Sequence, residues 1–177
     1  MPRLFVALNL PRVVTKRLTR NQPPPLPGIR LIPPDQMHVT LHFIGEAEVE
    51  PILKALRTIE HQAFTVTIES VGHFPMTGGA AVVWAGVQSS PELWGLHASV
   101  GKRLSDLGIK TETKPYKTHI TLARCKPAVR SLIPEFLAKH NSLLIPNIPV
   151  NAFTLYSSDL SWGTPEYKQE GRYLLKA

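Results

Sequence analysis

An unbroken apolar run, Leu4 to Leu8, opens the chain and stops at Asn9 and Pro11, the pattern of a short buried strand. Val13, Val14 and Leu18 then predict a short helix. Gln22-Pro23-Pro24-Pro25-Leu26-Pro27-Gly28 reads as a loop, since consecutive prolines cannot feed a helix or a central strand. Met37 to Ile44 alternates and is rich in Val, Thr, Ile and Phe, so it predicts a strand that Gly45-Glu46 ends. Val49, Ile52, Leu53, Leu56 and Ile59 follow the helical period. Phe64 to Glu69 alternates as a half-buried strand, and Ala80 to Val87 predicts another after the Gly78-Gly79 turn. From Pro91 to Leu107 one helical face carries Leu93, Leu96, Val100, Leu104 and Leu107, with Gly108 just past its end. Lys117 to Arg124 predicts a strand, Ala128 to His140 a helix disturbed by Pro134, and Val150 to Ser157 and Tyr167 to Leu175 the closing strands. Strands and helices alternate, yet several strands are near enough in sequence to pair antiparallel. That is an α+β pattern rather than a doubly wound parallel sheet.

Composition narrows the class. A chain of 177 residues is expected to form one domain, 1–177, or two small lobes packed closely enough to count as one. No apolar run approaches the ~18 residues a membrane helix needs, and the first apolar stretch is too short for a signal-peptide core. A cytoplasmic monomer with no obligate protein partner is the expectation. The formal net charge of +7 raises the local concentration of polyanions without selecting among them. The positive residues are spread along the chain with no block of five or more, which argues against a disordered basic tail. The single cysteine, Cys125, excludes an intrachain disulfide and a multi-cysteine zinc site. It reads as a small buried residue; a nucleophilic role would require activation by His119.

One feature changes the picture more than the rest. His38-Val39-Thr40-Leu41 and His119-Ile120-Thr121-Leu122 are the same tetrapeptide with Ile exchanged for Val. Each falls on a predicted strand, and each half of the chain has its own amphipathic helix, which points to an internal duplication of lobes facing a cleft. On a strand, His38 and Thr40 share one face, as do His119 and Thr121, while Val39 and Ile120 turn into packing. If the two strands lie side by side, two imidazoles and two hydroxyls converge on an anion-sized volume. That set suits a phosphodiester. One imidazole can take a proton from the attacking oxygen and the other can protonate the leaving oxygen near neutral pH. Threonine hydroxyls can donate to the non-bridging phosphate oxygens.

Other readings compete. His38 and His42 have a spacing that would suit zinc on a helix, but on a strand four residues span roughly 13 Å, too far for one ion. No metal and no cofactor are expected. By strand parity His42 shares the face of His38 and Thr40, so it is a candidate for the cleft rim. Arg124 could hold phosphate bidentately. Parity turns it away from His119 and Thr121, and it reaches the site only if the strand ends or bulges near Ala123.

These motifs resemble the two-histidine phosphoesterase superfamily and, within it, the LigT-like RNA 2′,3′-cyclic phosphodiesterases. The similarity extends to Arg3–Pro11, to Leu41-His42-Phe43-Ile44-Gly45-Glu46, to Gly72-His73-Phe74-Pro75 with Val83-Trp84, to Ala123-Arg124 and to Phe153–Ser158. The resemblance implies a bilobal α+β fold, with two antiparallel sheets facing a central cleft and helices packed outside. It implies metal-independent opening of a 2′,3′-cyclic phosphate on RNA ends or cyclic nucleotides to leave a 2′-phosphate. His38 matches the general acid and His119 the general base; Thr40, Thr121 and Arg124 match the residues that bind phosphate. Two departures stand out: Leu31-Ile32 lies where relatives often carry an aromatic residue, and Thr118 where they carry proline. The alternatives are a 2′–5′ RNA ligase working through the same site and a non-enzymatic basic RNA-binding module.

Overall fold

The computed structural model describes residues 1–112, 116–161 and 163–177. Strand β1 (Arg3–Asn9) is buried at every position from Leu4 to Leu8. It lies between β3 (His38–Glu46) and β8 (Ala152–Asp159), antiparallel to both. Leu4, Val6 and Leu8 enter the core on one face and Phe5 is covered by the rings of His38, Tyr156 and Tyr167 on the other, which explains its continuous apolar run. The remaining strands are β2 (Ile29–Leu31), β4 (Phe64–Pro75), β5 (Ala81–Val87), β6 (His119–Cys125), β7 (Leu144–Val150) and β9 (Glu166–Leu174). Their order in the sheet is β7-β4-β5-β6-β3-β1-β8-β9, with β2 paired to β6 beside this path.

Two antiparallel halves are visible in that order, β7-β4-β5-β6 and β3-β1-β8-β9. They meet where β3 crosses β6, through a single registered pair among the described residues, Val39 with Ile120. Helices α1 (Arg12–Thr19), α2 (Val49–Leu56), α3 (Pro91–Asp106) and α4 (Ile133–His140) bury Val14, Leu18, Ile52, Leu56, Leu93, Leu96, Val100, Leu104, Ile133 and Phe136. These join Val39, Leu41, Ile120 and Leu122 in one core. The aliphatic members of both tetrapeptides therefore face the helices, and the histidines and threonines face away. Helix α3 starts where the Ser90 hydroxyl accepts from the Leu93 amide at 3.2 Å and ends before Gly108, whose φ of 79° suits a residue without Cβ.

Each motif strand carries a bulge at the same place. Between β1 and β3, Val6 faces His42 but Ala7 faces Thr40, leaving Leu41 as an extra residue. Between β5 and β6, Val83 faces Ala123 but Trp84 faces Thr121, leaving Leu122 extra. A bulge of this kind reverses the facing of the residues that follow it, up to any further shift such as the one that leaves Ile44 extra in β3.

Several elements differ from the sequence expectation. Strand β7, which contains Pro146 and Pro149, was not expected before Val150; it lies at the sheet edge, where proline is tolerated. The three-residue β2 was not expected at all. The helix expected over 128–140 divides into a 3-10 turn (Pro127–Leu132) and α4, which begins at Ile133-Pro134 because proline fits a first helical turn. No helix among the described residues is long and apolar enough to cross a membrane.

Candidate active site

Where β3 and β6 cross, their outward face forms one wall of a cleft of about 590 Å³. His38 and Thr40 enter it from β3; His119, Thr121 and Arg124 enter it from β6. Both histidines are oriented in the same way. His38 Nδ1–H donates to the carbonyl of Gln36 at 2.7 Å, and His119 Nδ1–H donates to the carbonyl of Lys117 at 2.8 Å. In each case the partner lies two residues earlier, so the backbone approaching the strand fixes ring and tautomer, and Nε2 is left for proton transfer. His38 Nε2 accepts from the Thr40 hydroxyl at 3.0 Å. His119 is held at Nδ1 alone among the described residues.

Aromatic rings back both imidazoles. His38 packs against Phe5 and Tyr167, with ring centroids 5.1 and 5.6 Å away. His119 meets Phe74 edge-on at 4.9 Å and Trp84 at 6.3 Å, and the Lys117 ammonium lies 4.4 Å from the Trp84 ring. Burial among these rings lowers the pKa of both histidines below the ordinary 6.5, and the carbonyl bonds oppose that only in part. The neighbouring charges of His119 and Lys117 lower His38 and His119 respectively. Both imidazoles are therefore neutral at neutral pH. A phosphate anion placed between them favours their charged forms and supplies the condition under which one can act as an acid.

The bulges settle two parity questions. In β6 the extra residue Leu122 turns Arg124 back to the cleft, although unbroken alternation would point it away. In β3 the extra residue Leu41 has the opposite consequence for His42. Expected on the cleft rim, it is turned to the helix side. There it is 9% exposed, donates from Nε2 to the His97 carbonyl at 2.8 Å and stacks on the His97 ring at 4.0 Å. Gly101 of α3 leaves the room, for a Cβ there would meet the ring at 3.2 Å. His38 and His42 thus face opposite sides and cannot share an ion. Cys125 also lies on the far side, in an apolar space with Ile29, Val83 and Phe136, and burial raises its thiol pKa, which opposes a nucleophilic role. Thr118 is buried and donates its hydroxyl to the Val87 carbonyl at 2.7 Å, so it anchors the approach to β6.

Arg30, Phe43 and Tyr167 also line the cleft and were not singled out in the sequence. Phe43 was open to discovery. It stands five residues after His38, as Arg124 stands five after His119, and the same bulge exposes both. Arg30 enters through β2, too short to show a periodic pattern, and Tyr167 comes from β9, far away in the chain.

Comparison with known proteins agrees with this architecture. Residues 14–161 match the family model of the 2′-5′ RNA ligase superfamily. An RNA 2′,3′-cyclic phosphodiesterase of Archaeoglobus fulgidus is 30% identical over 94% of this chain and 96% of its own length. A crystal structure of a phosphoesterase aligns at 25% identity and a TM-score of 0.76, covering 100% of both chains. Escherichia coli LigT, solved in complex with ATP, aligns at 26% identity and a TM-score of 0.72 over 99% of both chains. With the duplicated His-x-Thr strands, the shared bulges and the cleft between them, the chain belongs to the 2′-5′ RNA ligase superfamily, the two-histidine phosphoesterases.

Proposed function

We propose that this protein opens 2′,3′-cyclic phosphates on RNA ends or cyclic nucleotides, leaving a 2′-phosphomonoester, within one domain of two lobes. The observation that carries this reading is the pair of imidazoles, each fixed at Nδ1 by the carbonyl two residues earlier and each presenting Nε2 to one cleft. The name of the Archaeoglobus fulgidus relative supports it.

His119 Nε2 takes a proton from water as the water oxygen bonds to phosphorus. The bond from phosphorus to the 3′ oxygen breaks, and His38, charged in the complex, donates its Nε2 proton to that oxygen. Thr40 and Thr121 donate to the non-bridging oxygens, and Arg124 offsets the charge that grows there. Burial lowers both histidines, so the order, His38 as acid and His119 as base, follows the match of their motifs to the two-histidine phosphoesterases. No step requires a metal.

His38→Ala and His119→Ala are each expected to lower turnover of a 2′,3′-cyclic-ended oligonucleotide by about 10²-fold or more with thermal unfolding retained. Phosphorus NMR should show a 2′-phosphomonoester at an undiminished rate in EDTA. Parent-level activity in either variant would overturn the assignment. Net joining of RNA halves, in preference to hydrolysis, would move the protein to the ligase reading.

A further inference from the structure

Arg30 of β2 and Arg124 of β6 are cross-strand partners, and both line the cleft. Like charges directly opposite on an antiparallel pair destabilise it, so this arrangement calls for an anion. The described residues of the protein offer none. No carboxylate is among those lining the cleft. The ion pairs among the described residues, Lys102–Asp106, Lys168–Glu170 and Lys176–Glu60, involve neither arginine. Arg3, also at the cleft, is different because its cross-strand partner is Glu46. The fields of Arg124 and Arg30 both reach the Tyr167 hydroxyl, where they oppose the effect of burial on its pKa. Both guanidiniums therefore act on the same end of the cleft, beside the ring that packs on His38.

A cyclic phosphodiester carries one negative charge, which Arg124 can match. The second guanidinium is in excess for a mononucleotide, and an RNA chain supplies the next anion one nucleotide back. We propose that Arg30 forms a subsite for the phosphodiester on the 5′ side of the terminal cyclic nucleotide, so that the cleft favours oligonucleotide ends over free cyclic mononucleotides. This rests on the cleft being the phosphodiesterase site described above.

The test compares adenosine 2′,3′-cyclic phosphate with the dinucleotide ApA ending in a 2′,3′-cyclic phosphate, for the parent protein and Arg30→Gln. The ratio of kcat/KM, dinucleotide over mononucleotide, should fall about tenfold in the variant, as expected for one lost charged contact. The slope of log KM against log salt for the dinucleotide should flatten by ~0.7, the value for one phosphate on a single strand. A ratio unchanged within a factor of two overturns the subsite. An equal loss on both substrates also overturns it and places Arg30 on the reacting phosphate instead. If the parent protein turns over neither substrate, it is the phosphodiesterase reading that fails.

Discussion

His97 lies on the helix side of the sheet, its ring between those of His42 at 4.0 Å and Tyr116 at 3.9 Å. Burial, with His42 adding to it, lowers its pKa to about 4. The unfolded chain takes up this proton near 6.5 and the folded chain only near 4, so between those values the unfolded state binds more protons. The stabilisation is complete above the unfolded pKa and is lost as pH falls through that window. His42, His38 and His119 shift in the same direction and add to the slope. Tm should therefore drop as pH is lowered from neutral towards 4, and His97→Phe, which keeps an aromatic ring in the stack, should make the drop shallower. An unchanged slope in a melting series would show that His97 is not a main source. The effect bears on the site, because the Tyr116 hydroxyl donates to the Thr40 carbonyl at 2.8 Å and so ties the stack to the first motif.

Among the elements, the two bulges decide which residues act. Before them the two strands are chemical copies, His and Thr outward, Val or Ile inward. After them the exposed positions differ, with Phe43 in one half and Arg124 in the other. The first set was legible in the sequence because repetition marks it and strand alternation orients it. The second was legible only in part: Arg124 was named from the resemblance and on condition of a bulge near Ala123, but alternation assumes one residue opposite one, and the bulge itself shows only once the partner strand is in place. The same gap placed His42 on the wrong face. Strand β7 was missed for another reason: its prolines break the pattern of a central strand, and position at the sheet edge is a property of the topology. Gly72 shows how tightly the outer strands are matched to the site. It faces Trp84 across β4 and β5, and a Cβ there would lie 2.3 Å from the indole. Gly72→Ala should displace the Trp84 ring that flanks His119, with a loss of roughly 1–3 kcal/mol for overpacking and a fall in kcat. Denaturant melts beside initial rates would check both, and a variant with parent-like values would show that Trp84 has room to move.

At the scale of the molecule, the halves are joined by Val39 and Ile120, both fully buried, each one residue beyond a histidine. Ile120→Ala should cost about 2–5 kcal/mol in stability. Because a shift of ~1 Å between reacting groups can cost ~10²-fold, kcat should fall by more than KM rises, although Ile120 faces the core and the cleft is lined from the other side. Steady-state kinetics on the folded variant would test this, and a loss confined to KM would count against it. The position of that pair also has a mechanical meaning. When two rigid bodies rotate about a pivot, each point moves in proportion to its distance from it. His38 and His119 stand at the fulcrum, while β7 and β9 are at the far ends of the lever arms. Any rotation of one half against the other about that pair would displace the outer strands far more than the two imidazoles.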